Sequence, residues 1–176
     1  MMRSFAFASL LVALPLSPLL AADPPKTAGP KLLVEGKAWS GYALAEKNSQ
    51  ICYLIGHPTK NEPASIKLES AEARITHRTA EKKFNEVSFL AGVPFKEKSD
   101  ADLDIDGKKF KLFTDKDTAW AADAATDKAI ADAMSKGKTL VLKGTSARGT
   151  PMTETYGLAG LLAAIKEIDK ACGVKR

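Results

Sequence analysis

Leu103-Asp104-Ile105-Asp106-Gly107-Lys108-Lys109-Phe110-Lys111-Leu112-Phe113 is the stretch that decides the fold class of this 176-residue chain. Apolar and polar residues alternate on either side of Asp106-Gly107, the period of a strand with one buried face. Asp-Gly between two such runs is the turn chemistry of a tight β-hairpin. The same residues imitate the opening of a calcium loop, with Asp102, Asp104 and Asp106 followed by Gly107. The imitation stops there. The twelfth position is Phe113, where a bidentate glutamate is required, and Lys108 and Lys109 follow the glycine. A hairpin with solvated aspartates and no metal is the expectation.

Working outward, further short alternating runs at 51–55, 65–68, 73–76, 86–91, 139–144 and 152–156 predict strands, with turn residues between them. Gly149 and Pro151 mark a second turn late in the chain. Two segments carry helical spacing instead. Residues 123–136 place Ala129, Ile130, Ala133 and Met134 together and end at Gly137. Residues 158–172 place Leu161, Leu162, Ile165 and Ile168 on one stripe, opposite Lys166, Glu167 and Lys170. The expected fold is mainly β, a compact β-sandwich or barrel-like domain with two amphipathic helices, the second C-terminal.

The N-terminus reads differently. Arg3 precedes an uncharged apolar run from Phe5 to Leu20, then Ala21 and Ala22. That order describes a secretory signal peptide over 1–22. The run is too short for a spanning helix and contains Pro15 and Pro18, so no membrane span is expected after cleavage. Residues 23–31 read as a flexible leader and 32–176 as a single domain. With 45% apolar and 27% charged residues, the chain as a whole has the composition of a folded protein. The net charge of +5 falls to about +4 without Arg3. It favours anionic surfaces, and its scattered lysines do not form a nucleic-acid footprint.

Cys52 and Cys172 are the two cysteines, and both follow the signal segment. They have neither the Cys-x-x-Cys spacing of a redox pair nor the close pairing of metal ligands, so one structural disulfide is expected. Gly144-Thr145-Ser146-Ala147-Arg148-Gly149 comes near two catalytic signatures without matching either. Thr150 stands where a phosphate-binding loop needs lysine, and Arg148 stands where a nucleophile elbow needs glycine. A polar strand end and turn is the better reading, and Thr145, Ser146 and Arg148 are the candidate partner-binding edge that it would present. His57 and His77 lie too far apart in sequence for a metal motif, and nothing joins either to a nucleophile, so no catalytic residue and no cofactor is expected. Trp39 and Trp120 read as core anchors, Trp120 following the turn at residues 115–118 that leads into the first helix and packing between helix and sheet.

Several pieces together resemble a known family. They are Cys52-Tyr53, Asn85-Glu86-Val87-Ser88, Gly92-Val93-Pro94-Phe95-Lys96 and Phe113-Thr114-Asp115. Asp117-Thr118-Ala119-Trp120-Ala121, Lys143 to Gly149, Thr155-Tyr156-Gly157-Leu158 and Ile168-Asp169-Lys170-Ala171-Cys172-Gly173 complete the set. In this order they resemble the invasion-associated locus B family over roughly Trp39 to Gly173. The resemblance implies an exported envelope or secreted bacterial protein of compact β-rich fold, with both cysteines where the family places them, and no catalytic residue to carry over.

Three functions are weighed. The first is a periplasmic or secreted, non-enzymatic binding protein whose partner is an envelope or host protein or a glycan. The second is a structural or stress-related envelope protein held by charge, including at an anionic membrane surface. The third is a periplasmic hydrolase, which requires a cleft where His57 or His77 meets an acid and a hydroxyl. A binding module should expose an apolar patch, and a hydrolase should line a pocket with perturbed ionisable groups.

Overall fold

The computed structural model describes residues 29–175. The expected signal peptide and residues 23–28 of the expected leader lie outside the described residues. The first strands are β1 (Lys31–Glu35), β2 (Trp39–Glu46), β3 (Ser49–Gly56) and β4 (Lys60–Glu62). Next come β5 (Glu72–Arg78), β6 (Lys83–Leu90), β7 (Asp100–Ile105), β8 (Lys108–Asp115) and β9 (Thr118–Trp120). Helix α1 (Ala124–Lys136), strands β10 (Thr139–Thr145) and β11 (Pro151–Gly157), and helix α2 (Leu161–Cys172) follow.

Among the described residues these strands form one 11-stranded antiparallel sheet, ordered β1-β2-β3-β5-β6-β9-β8-β7-β10-β11-β4. The fold is mainly β with two helices, the second C-terminal. The quoted stretch is the β7–β8 hairpin, with Ile105 opposite Lys108 across a turn in which Asp106 and Gly107 both have positive φ. Its aspartates serve the backbone. Asp104 accepts the Gly107 N–H at 2.7 Å, and Asp106 accepts those of Lys138 and Thr139, fixing the entry to β10. Among the described residues, no group of three metal-ligating side chains is assembled.

The sheet is rolled. Trp39 on β2, second in the order, donates its indole N–H to the carbonyl of Gly157 on β11, tenth in the order, at 2.9 Å. A flat sheet would separate those strands by about 38 Å at the usual interstrand spacing. Phe89 on β6 likewise meets Tyr156 on β11 edge-on at 6.3 Å. Strand twist accumulated over many strands supplies the curvature, giving a barrel-like roll whose edges β1 and β4 stay unpaired with each other. One apolar core fills it, including Leu54, Ile75, Phe89, Leu103, Ile130, Leu140 and Ile165.

Small residues make the roll possible at two places. A Cβ on Gly56 would lie 2.6–2.7 Å from three atoms of the Trp39 ring, which is 2% exposed and pinned by its hydrogen bond. Gly56→Ala is therefore expected to lower stability by about 1–3 kcal/mol through overpacking, read as a lower urea midpoint. An unchanged midpoint would mean that the indole moves freely. On β2, a Cβ on Gly41 would meet Val34, Leu54 and Ile168, so glycine there lets α2 lie close to the sheet.

Helix α1 begins at Asp123, whose carboxylate accepts the Thr126 N–H. That bond holds its carboxyl below the usual range. Helix α2 buries Leu161, Ala164, Ile165 and Ile168 against the sheet and ends at Gly173, which has φ 66°. Its C-terminal turn is fastened twice. Cys172 is disulfide-bonded to Cys52 of β3, and Asp169 meets Nε2 of His77 at 2.8 Å. His77 is the cross-strand partner of Cys52, so the two fastenings sit side by side. Because Nδ1 of His77 accepts the Asn85 N–H, the ring hydrogen sits on Nε2 and is donated to Asp169.

The structure corrects several sequence expectations. Residues 65–68 form no strand. Asn61 instead sits in β4, and the chain then turns through Pro63 into a 3-10 turn at Leu68–Ser70. Leu162 is 47% exposed, one position off the buried stripe. Trp120 ends strand β9 and is not a core anchor, being only partly buried between cross-strand partners Ser88 and Phe113. Its neighbour Ala119 points into the core instead. Trp39 is a core anchor as expected. Strand β1 begins at Lys31, the last residue of the expected leader.

Candidate functional site: the cleft beside Arg148

The Ser146–Thr150 loop joining β10 to β11 is built by its own hydrogen bonds. Ser146 donates its N–H to Thr150 O and accepts at its carbonyl from Gly149, both at 2.8 Å, while its Oγ accepts the Thr150 N–H. Gly149 has φ 81°, which a side chain would strain. The segment between β6 and β7 is zipped to this loop. Ala147 N–H reaches Pro94 O and Lys96 N–H reaches Thr145 O, each at 2.8 Å, and Phe95 bridges to Ser146. Phe95 itself is buried beneath Gly144, where any Cβ would run into its ring.

Between this assembly and the chain after β4 lies a cleft of about 530 Å³. Pro63 and Ile66 form one wall, Val93 and Pro94 another, and Met152 adds apolar lining from β11. Ser146, Arg148 and Thr150 supply the polar rim. Ser146 and Arg148 of the sequence-derived edge thus reach the cleft. Thr145 sits at the end of β10 and does not line it. Neither histidine lines the cleft either. His77 is fully buried, and exposed His57 has Nδ1 2.9 Å from the carbonyl of Ala71. A second, smaller cleft of about 310 Å³ is lined by Asp102, Asp104, Lys109 and Lys143, opposite charges interleaved.

Residues 39–169 match the family model described as invasion associated locus B (IalB) protein. The chain belongs to this family. No curated protein and no solved structure matches it. The IalB match runs from the first residue of β2 to Asp169 beside the disulfide, so it encloses the cleft and every strand from β2 to β11. No described helix of this IalB domain is long and apolar enough to cross a membrane. The Cys52–Cys172 disulfide suggests an oxidising, extracytoplasmic compartment.

Sequence reasoning missed a polar pair next to the IalB cleft. Glu154 of β11 is 2% exposed and Asn61 of β4 is 6% exposed, and the two are register partners. Tyr156 donates its hydroxyl to Oε2 of Glu154 at 2.7 Å. Burial nevertheless pushes the Glu154 carboxyl up to about 7, and it pushes the Tyr156 hydroxyl well up, which keeps that group a donor. Among the described residues, Oε1 of Glu154 and Oδ1 of Asn61 have no hydrogen-bond partner.

Proposed function

We propose that this IalB-family chain is an exported binding protein of the bacterial envelope, periplasmic or secreted, which works without catalysis or a cofactor. The observation that carries the reading is Arg148. The other two described arginines are neutralised, Arg74 by Glu72 and Arg78 by Glu86. Among the described residues Arg148 forms no ion pair, yet it stands exposed at the rim of an apolar cleft. A cation left free beside apolar walls suits a partner that brings both an apolar side chain and a carboxylate.

A protein partner fits this chemistry best. Glycan sites rely on exposed aromatic faces, and none lines the cleft. A bilayer is flat, whereas this surface is concave. The association with invasion in the family's name is compatible with a protein partner in the envelope or on a host cell, and it does not specify one.

The test is a photo-cross-linker at Ala147 in the native envelope, with captured proteins identified and their affinities then measured. The affinity of an identified partner should fall about tenfold or more in Arg148→Glu. Lys111→Glu, on the β7–β8 hairpin and outside the cleft lining, should leave it unchanged. Equal capture by Arg148→Glu would overturn the proposal. So would release of the protein by salt with no discrete partner, which would favour a charge-held structural role.

A further inference from the structure

We infer that Glu154 is protonated on the acid side of neutrality and shares that proton with Asn61, so that a single proton keeps one wall of the cleft in place. The geometry starts with the Asn61 amide. Its Nδ2 donates to the carbonyls of Ile66 and Lys67, at 3.3 and 3.4 Å. Those bonds tie down the segment that contributes Pro63 and Ile66 to the cleft. They also fix which way the amide faces. With the nitrogen committed to the loop, Oδ1 is left on the side of the cross-strand partner, Glu154.

Both partners bury the atoms in question, and both atoms are acceptors without a donor. Two buried acceptors on directly opposed residues repel, and each forfeits its hydration. A carboxylic acid in place of a carboxylate resolves the conflict, because its O–H donates to Oδ1 while its other oxygen still accepts from Tyr156. The surroundings favour the neutral form. Leu142 of β10 flanks Glu154 on its other side, and Phe89 of β6 packs edge-on against Tyr156, so the carboxyl lies among buried apolar neighbours. The raised carboxyl range agrees with this.

Deprotonation then has a defined consequence. The carboxylate repels Oδ1, and Asn61 can satisfy it only by turning its Nδ2 inward. That turn abandons the carbonyls of Ile66 and Lys67 and loosens the wall. The inference concerns the wall itself and holds whatever the cleft binds.

Hydrogen exchange on the oxidised, ligand-free protein tests it. From pH 5.5 to 8, and after correction for intrinsic exchange, protection of amides at 60–67 should fall about tenfold or more. In Glu154→Gln, whose amide can donate to Oδ1 at every pH, protection should change less than about twofold over the same range. An equal loss of protection in both proteins would overturn the inference. Should Glu154→Gln fail to fold, the ¹³C carboxyl titration of Glu154 in the wild-type protein decides. A midpoint near 7 supports the shared proton, and one in the ordinary carboxylate range overturns it.

Discussion

Replacing both Cys52 and Cys172 by alanine is expected to lower stability by as much as about 5 kcal/mol. The bond closes a loop with a sequence separation of 120, so its loss frees almost the whole domain in the unfolded state. Domains of this size have only about 5–15 kcal/mol to lose. The native state also suffers locally. Without the bond, the last turn of α2 is held by the Asp169–His77 contact and by the Ile165 and Ile168 side chains. Urea unfolding of the oxidised protein and of the Cys52→Ala/Cys172→Ala variant measures the difference. The variant should also show a steeper dependence on urea, because its unfolded chain exposes more surface. A loss under about 1 kcal/mol would mean that the unfolded chain already keeps these ends together.

The second large effect is a dependence on pH carried by Glu154. Its folded-state range lies near 7, against an ordinary value of 4.5. Below pH 4.5 the carboxyl is protonated in folded and unfolded chains alike, and its contribution is complete. Between 4.5 and 7 the unfolded chain releases the proton while the folded one keeps it. Stability therefore falls as pH rises, by about 1.4 kcal/mol per unit, and the loss levels off above pH 7 at roughly 3 kcal/mol. Other groups titrate in the same window, so the useful quantity is the difference from Glu154→Gln. Across denaturation curves from pH 4 to 8, the stability of Glu154→Gln relative to wild type should grow by roughly that amount. Parallel curves for the two proteins would show that Glu154 is ionised in the folded state.

Much of this architecture was legible in the sequence, where the residue pattern reflects one dominant cause. The β7–β8 hairpin was readable because alternation and Asp-Gly turn chemistry agree. The two helices were readable because apolar spacing and terminal glycines agree. Strand β2 was hidden, because after Trp39 its buried row continues with Gly41 and Ala43, which are small where α2 packs, and small residues give a weak strand signal. Strand β9 was hidden by its length of three residues. Of the cleft, the sequence exposed the Ser146–Arg148 side alone, since its opposite wall comes from residues some 80 positions earlier. The buried carboxyl did leave a trace. Met152, Glu154 and Tyr156 alternate with Thr153 and Thr155, so a strand that turns Met152 and Tyr156 inward must turn Glu154 inward too.

The position of β4 bears on how the chain reaches this state. β4 ends at Glu62, yet its sheet partner β11 begins at Pro151. As the chain emerges N-terminus first, that short strand has nowhere to dock until nearly the whole domain has followed it. The same is true of Trp39, which waits for Gly157, and of Cys52, which waits for Cys172. Contacts closing such long stretches are slow to form, and they leave apolar strands unsatisfied meanwhile. The N-terminal third therefore has to be kept from premature association until the last thirty residues arrive, and assembly ends with the closure of the roll.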